Sequence, residues 1–126
     1  MITGFHTIVY SDDAASTREF FRDVLSWPSL DAGDGWLIFK TPPSELGVHP
    51  TSTDPAHESP AVPFHQMSLM CDDIEATIAE LRSKGVEVSD EIEDQGFGLV
   101  TSFQVPGAGS FMLYQPRHPT AHGLPG

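Results

Sequence analysis

The chain repeats itself. FHTIVYSDDAAST, beginning at Phe5, runs beside FHQMSLMCDDIEAT, beginning at Phe64, and ELGVHP, ending at Pro50, runs beside FMLYQP, ending at Pro116. Each copy opens on an apolar, alternating stretch, passes through an Asp-Asp pair and enters a helix-forming run. A repeated supersecondary unit of this kind cannot bury its apolar face alone. In a chain of 126 residues, halves of roughly 60 are also too small for comfortable independence, so the two should share one interface in one domain.

In the first copy, residues 5–11 alternate as a strand, and Ser11, Asp12 and Asp13 offer helix caps before STREFFRDVLSW. Phe20, Phe21, Val24 and Leu25 recur at helical spacing, and Pro28 ends the pattern. Residues 29–32, 36–40 and 45–49 read as strands around a Gly33-Asp34-Gly35 turn and a Pro42-Pro43 break. Residues 51–63, rich in proline and carrying His57, read as a linker. In the second copy, residues 64–71 form a strand, Asp72 and Asp73 cap the helix of Ile74, Ile78 and Leu81, and Gly85 closes it. Strands 86–88, 98–105 and 111–115 follow, the last two joined by a turn at Pro106-Gly107-Ala108-Gly109. Both copies therefore read as βαβββ: module one over 1–50, module two over 64–116, and a Pro- and Gly-rich tail over 117–126. The expected class is α+β, two modules forming a cupped mixed sheet.

Charge narrows the partners. Eighteen acidic residues against six Lys and Arg give a formal charge of −12, which repels nucleic acid and anionic lipid surfaces. The first residues enter a strand pattern directly, with neither a leader nor a spanning apolar run, so a cytoplasmic location is expected. A single cysteine, Cys71, allows no internal disulfide and reads as a small buried hydrophobe.

The order of these motifs resembles the vicinal oxygen chelate superfamily, which includes glyoxalases, bleomycin-resistance proteins and extradiol dioxygenases. The likeness rests on His6 followed seven positions later by Asp13 and ASTREFFRDVLSW, on SELGVHP, on DDIEATIAELRSKGVEV and on GFGLVTSFQVPGAGSFMLYQP. It implies a glyoxalase-like fold with a small-molecule cavity, a homodimer, and metal ligands on the first and last strands of each module. His6 falls at the first such position and Glu45 at the second, with His49 four residues on. In module two, matching the FH pairs points to His65, whereas counting back from Asp73 points to Gln66. A slip of one residue reverses the face of a strand. Alternation puts Met67, Leu69 and Cys71 under a helix and leaves Gln66, Ser68 and Met70 for the cavity. On the final strand the two alignments give Phe111 or Leu113, with Gln115 as a neutral oxygen donor.

Two function classes follow. The resemblance allows one divalent metal (Zn, Ni, Mn or Fe) on His6, Glu45 and His65, with Glu45 as the base of a glyoxalase-type lyase or a ligand in a ring-cleaving dioxygenase. The other class is a metal-free protein that binds or sequesters a small molecule, as bleomycin-resistance relatives do. Tyr10, Trp36, Gln66, Ser68, Phe111 and Gln115 are then the candidate ligand contacts.

Overall fold

The computed structural model describes residues 1, 4–56 and 59–125, so His57 lies outside the described residues. The first half contributes α1 (Ala14–Glu19), a π-helical turn (Phe20–Val24) and a hairpin of β1 (Ser29–Asp31) and β2 (Leu37–Phe39). The second half contributes β3 (Ser68–Met70), α2 (Ile74–Ser83), β4 (Glu93–Asp94), β5 (Gly98–Val105) and β6 (Gly109–Pro116). These last strands form one mixed sheet in the order β3-β6-β5-β4, with β3 parallel to β6 and the other pairs antiparallel. The second half therefore has the order βαβββ, with its second strand at Glu93–Asp94 in place of the expected 86–88, and the class is α+β.

The second Asp of each repeat caps its helix. Asp13 accepts from the Ser16 N–H at 3.1 Å and from the Ser16 hydroxyl at 2.7 Å, and Asp73 accepts from the Ala76 N–H at 3.1 Å. The Ser16 bonds hold the Asp13 carboxyl below its ordinary range. After α1 the backbone widens, with Leu25 N–H reaching the Phe20 carbonyl at 3.2 Å. This departs from the single regular helix expected over STREFFRDVLSW. The extra residue per turn lets two adjacent rings, Phe20 and Phe21, both turn inward. Phe20 stacks on Phe103 of β5 at 6.2 Å, and Phe21 stacks on Trp27 at 5.2 Å and meets Phe111 of β6 at 6.0 Å.

These rings join Ile74, Ile78 and Leu81 of α2 with Val86, Val88, Val105 and Leu113 in one core shared by both halves. The Pro106-Gly107 turn fastens that interface. Gly107 has φ of +78°, its carbonyl accepts from Asp12 N–H at 2.8 Å, and the Pro106 carbonyl accepts from the Thr17 hydroxyl at 2.5 Å. A side chain on Gly107 would stand 2.8 Å from the backbone of Asp13, so only glycine allows the approach.

The first half has fewer strands than its sequence pattern implies. Residues 5–11 and 45–49 keep strand alternation but make no ladder. Val9 packs on the core and Ser11 bonds Thr17 at 2.7 Å, whereas Phe5, Ile8, Tyr10, Leu46 and Val48 point into solvent. Among the described residues nothing covers those apolar faces, and an uncovered strand gains too little to offset the entropy of ordering it. Residues 64–71 shorten likewise to β3, and residues 86–88 pair with β5 through the single bridge Val88–Phe103.

Candidate functional site

The face of the second-half sheet turned away from α2 is concave. Alternation along β6 sends Phe111, Leu113 and Gln115 towards the helix and leaves Ser110, Met112 and Tyr114 on the concave side. Register places Ser68 beside Met112 and Met70 beside Tyr114 on that face. Gln66 lies on the same side, its amide 3.4 Å from the Met112 sulfur. The result is a hollow of about 540 Å³ lined by Gln66, Met67, Ser102, Ser110 and Met112, with Glu91, Glu93 and Gln95 along its β4 edge. That volume lies in the range of small-molecule sites. Its lining combines hydroxyls, amides and thioethers with two carboxylates and includes no Lys or Arg.

The other end of this face is aromatic. Tyr114 meets Phe97 edge-on at 5.7 Å and His118 at 5.8 Å. Partial burial, and secondarily the charge of Glu45, raise the Tyr114 phenol above its ordinary pKa. Glu45 is thus brought from the first half towards the last strand of the second. Its Oε2 accepts from the Ala121 N–H at 2.7 Å, and its Oε1 lies 3.9 Å from His118 Nε2.

The remaining candidates are dispersed. His6, Tyr10 and His65 are exposed, and Trp36 is exposed with the Arg18 guanidinium 5.8 Å above its ring. Phe111 is buried in the shared core, so it faces away from the hollow. Gln115 is also turned from it, because its Oε1 accepts the Ile74 N–H at 2.8 Å and so satisfies the start of α2. Between the alternative positions on β3's approach, it is Gln66 that lines the concave face. Cys71 is half-buried against the core; desolvation pushes its thiol up and makes it a weak nucleophile.

Sequence reasoning passed over His118 and the carboxylates of the β4 edge. The histidine sits in a tail without periodicity, and Glu91 and Glu93 sit in an acidic turn whose pairing with β5 no local pattern announces.

Does this arrangement suit the metal that the likeness implies? Among the described residues no three His, Cys, Asp or Glu side chains come together, and Glu45 is engaged by the tail. Catalytic ions ordinarily need three protein ligands. The donor set present does not fit one, although superfamily members often use a divalent metal.

The fold is shared with solved structures. A lactoylglutathione lyase from Agrobacterium tumefaciens is 16% identical, with TM-score 0.58 over 86% of this chain and 90% of that one. TnmS3, an antibiotic binding protein from Streptomyces, is 20% identical, with TM-score 0.59 over 91% and 99%. A superfamily member from Sphaerobacter thermophilus is 22% identical, with TM-score 0.57 over 90% and 98%. A comparison with curated proteins finds no match. The family model for the glyoxalase/bleomycin resistance protein/dioxygenase superfamily matches residues 5–116, nearly the whole chain, and the protein belongs to that superfamily.

Proposed function

We propose that this protein binds and sequesters a small polar organic cation, without a metal, on the concave face of its second-half sheet. The observation that carries the reading is the lining of the hollow: hydrogen-bonding Gln66, Ser102 and Ser110, the adaptable thioethers of Met67 and Met112, and Glu91 and Glu93 with no basic side chain among them. An antibiotic binding protein among the structural neighbours supports a binding role. The metal-dependent lyase or dioxygenase reading has a lactoylglutathione lyase among the structural neighbours, but it needs His6, Glu45 and His65 to converge, and among the described residues no three such side chains come together.

The homodimer belongs to the same proposal. Phe5, Ile8, Tyr10, Leu46 and Val48 form apolar faces that a second copy would cover. Cytoplasmic residence is proposed too; the lone cysteine suits a reducing compartment, and no helix among the described residues is long and apolar enough to cross a membrane.

A thermal-shift screen of cationic, neutral and anionic compounds in EDTA tests the function. Cationic compounds should raise Tm for the wild type and not for Met112→Arg, which fills the hollow and places a competing cation beside Glu91 and Glu93. Stabilisation by anions alone, or a response that Met112→Arg leaves intact, would contradict the proposal.

A further inference from the structure

Beyond β6 the chain turns back across the molecule. The Arg117 N–H donates to the Phe97 carbonyl at 2.9 Å, and its guanidinium grips both oxygens of Asp94, one of them at 2.8 Å. Past this root, His118 lies against Tyr114, and the Ala121 N–H reaches across to Glu45. A turn closed by the Leu124 N–H on the Ala121 carbonyl, at 3.0 Å, follows. These contacts leave the Glu45 side chain 16% exposed, while its neighbours Leu46 and Val48 stand in solvent. The tail thus presents a backbone donor and an imidazole to a carboxylate beside a phenol ring.

Those are the interactions a nitrogenous ligand would make. We propose that residues 118–121 form a strap that occupies Glu45 as a surrogate ligand, and that an organic ammonium or guanidinium group displaces it to reach Glu45 and Tyr114. The strap is firmly held at Arg117 and lightly held at its tip, where one neutral N–H bonds the carboxylate and the imidazole is beyond hydrogen-bond reach at 3.9 Å. A charged N–H donor bonds a carboxylate more strongly than a neutral one, and the Tyr114 face adds attraction for a cation. Opening therefore pivots after Arg117 and uncovers a second anionic subsite on the same face as Met112.

The chain has two tyrosines, exposed Tyr10 and part-buried Tyr114, so 3-fluorotyrosine labelling gives a reporter and an internal reference. The full chain would be titrated with benzylammonium and, separately, benzyl alcohol, following both fluorine signals. Benzylammonium should shift Tyr114 and leave Tyr10 in place. Ala121→Pro, which deletes the strap's donor, should tighten that binding roughly tenfold, the scale of one hydrogen bond to a charged group. Glu45→Gln should erase the preference for benzylammonium over the alcohol. Equal affinity in the wild type and Ala121→Pro, a preference that survives Glu45→Gln, or no shift of Tyr114 would each overturn the strap. The inference builds on the proposed cation-binding face, yet that face is read separately at Met67 and Met112, so the two failures are distinguishable.

Discussion

At the scale of single residues, the site depends on which side of a strand a side chain occupies. Gln66 lines the hollow while adjacent His65 does not, and Tyr114 lies over the concave side because its ring covers Gly98. A Cβ on Gly98 would strike the Tyr114 ring and stand 2.6 Å from the Gln115 carbonyl oxygen, which belongs to a paired backbone and cannot retreat. Gly98→Ala should cost about 2 kcal/mol in urea unfolding and perturb Tyr114; an unchanged midpoint would show that the ring moves freely. Cys71, its thiol pushed up by burial, should react with iodoacetamide at neutral pH well below the rate of a small free thiol. Alternation assigned Gln66, Ser68 and Met70 to the cavity and Met67 to the helix side. Gln66 does line the hollow, but so does Met67, because the ladder begins only at Ser68, and Ser68 and Met70 share the face without lining the hollow. On the final strand both alignments gave the face of Phe111, Leu113 and Gln115 to the ligand, and the structure turns that face to α2 instead, because alternation separates two faces without recording which one the helix covers. Nor could the engagement of Glu45 by Ala121 be read, since it joins groups 76 positions apart.

At the scale of elements, the helices are held by local chemistry and the strap root by charge. Asp13→Ala and Asp73→Ala each remove a cap and should cost about 1 kcal/mol, measurable by thermal unfolding. Hydrogen bonds from Arg117, then from the Gly96 N–H, lower the Asp94 carboxyl from 3.8 to about 2. A depressed carboxyl contributes above its ordinary value and loses that contribution as pH falls through its folded value. The Arg117–Asp94 contact should therefore persist through mild acid and weaken between about pH 4 and 2. Carboxyl carbon NMR would follow this, and Arg117→Ala should return Asp94 towards its ordinary titration; a titration unchanged by that substitution would refute the pairing. Helices and the long β5–β6 hairpin were legible because caps, periodicity and the Gly107 turn are local signals. The π-helical turn was not, because its cause is the distant rings of Phe103 and Phe111.

At the scale of the whole molecule, the halves have diverged in what they complete. The second builds its sheet unaided; the first leaves residues 5–11 and 45–49 with apolar faces uncovered. The repeat made the shared core legible, but a two-residue period records that one face is apolar without recording what covers it. If a second copy does, Tyr10→Asp with Val48→Asp should shift sedimentation from dimer to monomer, while a monomeric wild type would refute that assembly. In the proposed function, ligand recognition resides on the second-half concave face and requires no metal. Methyl-¹³C methionine NMR in EDTA tests it most directly, using the tightest cation from the thermal-shift screen. Met67 and Met112 should move on titration and Met1 should not. Movement that appears only when a divalent metal is supplied, and disappears in His6→Ala and Glu45→Ala, would contradict it.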